Sequence, residues 1–261
     1  MERREFMTSM LAGAATAVTL SGSALQAESS TSPQFYQLRK YTLRTGPQLA
    51  LTEKFFEQAL IPALNRLDIA PVGAFKLDVG PDTPTYYLLL PSFSGDTLLT
   101  ADLRLAQDAK FLEAAQPFWT APASAPAFIR VESSMLSAFS GWPKLVAPKL
   151  EKRMFQLRTY ESASYAAHIK KVKMFNEAEI NIFKKTGLSP VFFGSTVTGS
   201  HLPSLTYMLT FPDIETLTRN WSVFVSDPAW IELSHRPEYA DSEIVSNISN
   251  LYLSPLSCSQ I

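Results

Sequence analysis

The sequence predicts an α+β protein built from two tandem ferredoxin-like βαββαβ repeats whose sheets close on each other. Three observations carry that prediction. Gln37-Leu38-Arg39-Lys40-Tyr41 returns as Gln156-Leu157-Arg158-Thr159-Tyr160, 119 residues later from Arg39 to Arg158. The same offset then pairs Lys54 with Lys173, Phe56 with Phe175, Pro71-Val72 with Pro190-Val191, Gly80 with Gly199 and Asp108 with Asp227, without a gap. Finally, each copy reads strand, helix, strand, strand, helix, strand. One such unit covers a single face of its antiparallel sheet, so two in tandem bury their bare faces against each other.

The elements follow in order. Residues 35–43 and 154–160 alternate apolar with polar side chains and read as first strands. In the second copy the helix follows a Ser162/Ser164 capping region, carries the stripe Val172, Phe175, Ile182 and Phe183, and stops at Gly187. The first copy's stripe is Phe56, Leu60 and Leu64, and Pro62 is expected to kink or shorten that helix. Residues 72–79 and 191–198 read as second strands, 80–82 and 199–201 as turns, and 85–90 and 205–211 as third strands. A second helix is expected over 95–115 and over 214–225, the latter followed by a turn that Asp227 caps with Pro228 at its first position. The fourth strands fall at 128–139 and 244–253, and the Pro/Ala-rich 117–126 reads as an irregular loop. The repeats therefore span 34–139 and 153–261, with a linker at 140–152.

A chain of 261 residues, 46% of them hydrophobic, can bury a sizeable core. Its 23 Lys and Arg nearly cancel 24 Asp and Glu, which leaves no field of one sign to gather nucleic acid or anionic lipid. Nucleic acid is not an expected partner. Cys258 is the single cysteine, so neither an intrachain disulfide nor a Cys-rich metal site can form. At the start, Arg3-Arg4 beside Phe6 and the Ala/Gly/Thr-rich run at 10–20 resemble a twin-arginine export signal over residues 1–27. That run is shorter than the roughly 20 apolar residues of a membrane span. The mature chain is expected to be periplasmic or secreted, with no stable membrane span.

Further residues carry a family resemblance: Phe155 to Tyr160, the run of Leu205, Tyr207, Phe211, Pro212, Asp213 and Glu215, then Trp221, Phe224 and Asp227-Pro228-Ala229-Trp230. Together they resemble the NIPSNAP family of the dimeric α/β-barrel superfamily. The first copy keeps Asp108 but has Ala109 for the proline and Phe111 for the tryptophan, which makes it the degenerate copy. The resemblance extends over essentially all of the mature chain and implies a barrel formed by an internal pseudo-dimer, as a monomer or homodimer. It transfers no agreed catalytic residues.

Strand alternation sends Gln37, Arg39 and Tyr41, and likewise Gln156, Arg158 and Tyr160, to one face of their strands. If Phe155 and Leu157 pack under helices, all six polar tips meet inside the barrel. There an arginine with a tyrosine would hold a carboxylate or carbonyl oxygen of a small ligand, or the six would bond one another and lock the two copies together. His168, on the stripe of Val172 and Phe175 and matched by Leu49 in the first copy, and His235, beyond the Asp-Pro-x-Trp turn, are the acid/base candidates. Neither paired metal-ligand spacing, a phosphate loop, a nucleophile elbow nor a dinucleotide fingerprint occurs, so no metal or cofactor is expected. The expected function is small-molecule binding in or beside the barrel. Its alternatives are a cofactor-free enzyme of monooxygenase or isomerase type and a protein-interaction module; an enclosed cavity bordered by Arg158, Tyr160 and a histidine favours binding or catalysis, and a filled interior the interaction module.

Overall fold

The structure is a computed structural model that describes residues 32–149 and 151–261. The expected export signal at 1–27 lies outside them. In the first half, strand β1 (Phe35–Thr42) leads to helix α1 (Pro47–Phe55), a π-helical turn (Phe56–Leu60) and α2 (Ile61–Asn65), then β2 (Gly73–Val79), β3 (Thr85–Ser92), α3 (Gly95–Leu105), α4 (Ala109–Trp119) and β4 (Arg130–Ala138). The second half repeats the order: β5 (Met154–Glu161), α5 (Tyr165–Met174), a π turn (Phe175–Glu179), α6 (Ile180–Lys185), β6 (Ser189–Thr198), β7 (Ser204–Phe211), α7 (Ile214–Val225), α8 (Pro228–Ser234), a short 3-10 turn, α9 (Asp241–Ile244) and β8 (Asn247–Pro255).

Eight antiparallel strands close into a barrel in the order β1-β3-β2-β8-β5-β7-β6-β4. Each half contributes a contiguous quartet in the ferredoxin-like order, fourth, first, third, second. The halves join where β2 pairs with β8 and β4 with β6, so closure leaves no open sheet edge. Three apolar cores result. One fills the barrel, with Tyr36, Phe75, Leu89, Leu136, Phe155, Leu157, Phe192 and Met208. The other two lie between the sheet and the helices of each half, around Phe55, Phe56 and Phe118 in the first and around Phe175, Phe183 and Tyr207 in the second.

Several boundaries differ from the sequence reading for identifiable reasons. The single helix expected over 95–115 is two helices, because the Asp108 carboxylate accepts the Phe111 N–H and starts α4 afresh, as Asp227 does for α8 with the Ala229 N–H. That second helix runs on to Trp119, through Pro117 and into the stretch expected to be loop. Both first helices contain a π turn at the same offset. Proline is not its cause, since Asn181 stands where Pro62 does and the turn persists. The last strand begins at Asn247, after Asp241–Ile244 has made a helical turn.

Candidate functional site

Alternation holds along β1 and β5, but the faces are the reverse of the expectation. Tyr36 and Leu38, and with them Phe155 and Leu157, point into the barrel. Gln37, Arg39 and Tyr41 therefore lie under the helices of the first half, and Gln156, Arg158 and Tyr160 under those of the second. The six polar tips do not meet. Inside the barrel Tyr36, Phe155 and Leu157 join Phe75, Leu89, Phe192 and Met208 in one apolar cluster, whereas under the helices Arg39 reaches polar partners in Gln37 and Asp102.

In the first half these residues border a pocket of about 350 Å³ lined by Arg39, Tyr41, Phe55, Leu60, Asp102, Phe118, Trp119, Phe128 and Val131. Each element has a part in it. Strand β1 presents Arg39 and Tyr41, the π turn presents Leu60, and α3 presents Asp102 at the rim. The end of α4 supplies Phe118 and Trp119. Arg39 is 5% exposed. Its Nε donates to Gln37 Oε1 at 2.9 Å and its Nη1 to Asp102 Oδ1 at 2.9 Å, while Nη2 is buried without a partner. Burial works against the guanidinium charge, but Tyr41 and Asp102 outweigh it and hold the arginine protonated. Burial likewise pushes the Tyr41 hydroxyl up, with Arg39 opposing, so it stays a neutral phenol.

The second half fills the matching space. Arg158 sits 4.6 Å over the Trp221 ring and 5.4 Å over Tyr160, and its Nη2 donates to the Tyr160 hydroxyl at 3.0 Å. Tyr160 in turn meets Tyr207 at 3.1 Å, and Gln156 Oε1 accepts the Trp221 indole N–H at 2.7 Å. Behind them Lys171, 1% exposed, lies 3.3 Å from Glu179 and 3.7 Å from Asp241. Burial opposes this ammonium too, and Glu179, Tyr160 and Asp241 overcome it.

His168 is buried against this layer, where its Nε2 meets Ser195 Oγ at 2.7 Å, and burial lowers its pKa. His235 is exposed at the end of α8, with Nδ1 2.7 Å from the Ile231 carbonyl. Neither histidine lines the Arg39 pocket. Sequence reasoning passed over Asp102, Lys171, Phe118 and Phe128, and read Trp119 as a core or lid residue. A comparison by offset would have found the first, since Asp102 stands where the second copy has Trp221. A second cavity, of about 340 Å³, opens at one end of the barrel among Lys40, Glu132, Thr159, Glu161 and Thr206. Its polar groups largely pair with one another: Lys40 with Asp82 and Glu132, Thr159 with Thr206, Asn247 with Glu161.

A closed eight-stranded barrel with helices outside, and ligand-sized space beneath one helical layer, defines a protein of the dimeric α/β-barrel class. Residues 155–260 match the model of the NIPSNAP family. Among solved structures, a monooxygenase-like protein from Lactobacillus acidophilus is 11% identical, with 85% of this chain and 94% of that one covered at a TM-score of 0.57. Another, from Fusobacterium nucleatum, is 8% identical, covering 87% and 94% at 0.58. An anthrone oxidase-like protein is 8% identical, covering 87% and 92% at 0.51. At such identities the likeness is one of fold. No curated protein matches the chain.

Proposed function

We propose that this protein binds a small organic molecule in the sheet–helix pocket of its first half, with Arg39 holding an acidic or carbonyl oxygen. One observation carries the reading: a nearly fully buried arginine, whose Nη2 has no hydrogen-bond partner, lines a pocket that is otherwise mostly apolar. A buried donor left unsatisfied costs about 1–3 kcal/mol, which an accepting ligand recovers. Native mass spectrometry on protein purified from its own source should show a bound species that Arg39→Met loses. Absence of any bound species, with melting unchanged across a metabolite panel, would overturn the reading.

Catalysis without a cofactor is the second reading, supported by the monooxygenase-like neighbours. It would use the same pocket, with Tyr41 and Asp102 as the groups nearest the anchored oxygen. Turnover of the bound species, followed as oxygen uptake or isomerisation, separates it from binding alone. Export belongs to the proposal on the strength of Arg3-Arg4 and the run behind it. Replacing both arginines by lysine should hold the chain in the cytoplasm, and undiminished export would remove this part of the reading.

A further inference from the structure

We infer that the pocket's occupant is a flat aromatic monocarboxylate, an assignment that rests on the ligand reading above and adds its chemical class. The head group follows from the hydrogen-bond inventory of Arg39. Of its donor groups, Nε is committed to Gln37 and Nη1 to Asp102, and Nη2 alone is buried and unbonded. The Asp102 carboxylate is 59% exposed, so water screens its charge from outside, while the arginine is 6% exposed and projects its charge inward. An anionic oxygen brought against this guanidinium from the pocket makes a charge-assisted bond, roughly twice as strong as that of a neutral acceptor.

The same inventory limits the ligand to one negative charge. Among the described residues Arg39 is the single cationic one in the lining, and Asp102 already takes one of its edges. A dicarboxylate or phosphate ester would bring a second charge beside that carboxylate with no donor to meet it.

The body of the ligand follows from the walls. Phe55 and Phe118 lie face to face, with centroids 3.9 Å apart and planes within 2°, and Phe128 tilts over Phe118 at 5.7 Å. Trp119, Phe128 and Val131 are 42%, 37% and 37% exposed, so the mouth itself is apolar and faces solvent. Preformed ring faces are matched by another planar ring in offset or edge contact. A flexible acyl chain would lose rotamer freedom to obtain the same burial. At about 350 Å³ the space lies at the small end of ligand pockets, which run from roughly 300 to 1,000 Å³, and suits one or two rings.

Isothermal titration calorimetry on the full chain tests the assignment with three probes: 2-naphthoate, 2-naphthalenemethanol and octanoate. The acid should bind at least about tenfold tighter than the alcohol or the fatty acid. Arg39→Met, checked for folding by circular dichroism, should erase the acid's advantage while leaving alcohol binding in place. Trp119→Ala, at the exposed rim, should weaken acid and alcohol alike, and so reports on the pocket even if the arginine variant misfolds. Equal binding of acid and alcohol overturns the anionic head while the ligand reading stands. Tighter binding of octanoate overturns the aromatic body. Binding by none of the probes overturns the class altogether, and the ligand reading is then judged by the native mass spectrum alone.

Discussion

In the first half of the barrel Arg39 lines a pocket; in the second Arg158, which like Arg39 has one buried nitrogen without a partner, is stacked between Trp221 and Tyr160 with the matching space occupied. The backbones are alike down to a π turn at the same offset, so the difference lies in side chains at corresponding positions. Thr52 becomes Lys171, Leu88 becomes Tyr207, Asp102 becomes Trp221 and Phe111 becomes Trp230. Every one of these changes adds volume under the second half's helices. Leu60 becomes Glu179, which supplies the counter-charge that lets Lys171 be buried. One scaffold thus carries an open site and a filled one, and the family match covers the filled half. The pocket lies in the other half, outside the matched residues.

The Lys171–Glu179 pair offers the largest effect with which to break this comparison. Lys171 and Glu179 are 1% and 2% exposed, and the ammonium also lies 5.2 Å from the Phe175 ring and 5.8 Å from that of Trp230. Lys171→Met leaves the Glu179 carboxylate buried without its partner and should cost about 3–5 kcal/mol in urea unfolding. Adding Glu179→Leu restores the residue that the first half has at Leu60 and should recover most of that loss. If the double variant is as unstable as the single one, the pair is not an ion pair replacing apolar packing, and the account of the filled half fails.

The element order and the alternation along β1 and β5 were legible because each depends on local periodicity, which a sequence carries directly. Which face turned inward was not. Alternation separates Phe155 and Leu157 from Gln156, Arg158 and Tyr160, but barrel and helical layer both need apolar surface, and the outcome depends on eight strands closing together. The α4 cap was within reach, since Asp108 matches Asp227, whose capping role is plain from the proline that follows it. The pocket was harder to see. Of its lining, Asp102 stands where the second half has Trp221, and a space has no residue of its own to read. Lys171 lies eight residues from Glu179 across a π turn, a spacing that a regular helical stripe does not mark as a contact.

The smallest expected effect concerns His168, which stands where the first half has Leu49. Its imidazole bonds Ser195 through Nε2, its Nδ1 is buried without a partner, and burial lowers its pKa from the ordinary 6.5. The sign follows from which state binds the proton first. As pH falls through about 6.5 the unfolded chain protonates this histidine while the folded chain still holds it neutral, so stability from His168 is complete above that point and lost on descending toward the folded value. His168→Leu gives up the Ser195 bond and should cost about 1 kcal/mol near neutral pH. As pH falls below about 6.5 the melting temperatures of variant and wild type should converge, because the leucine has no proton to exclude. A gap that stays constant over that range would show that His168 is as indifferent to protons as its leucine counterpart, and the acid sensitivity of the second half would have to come from its carboxylates.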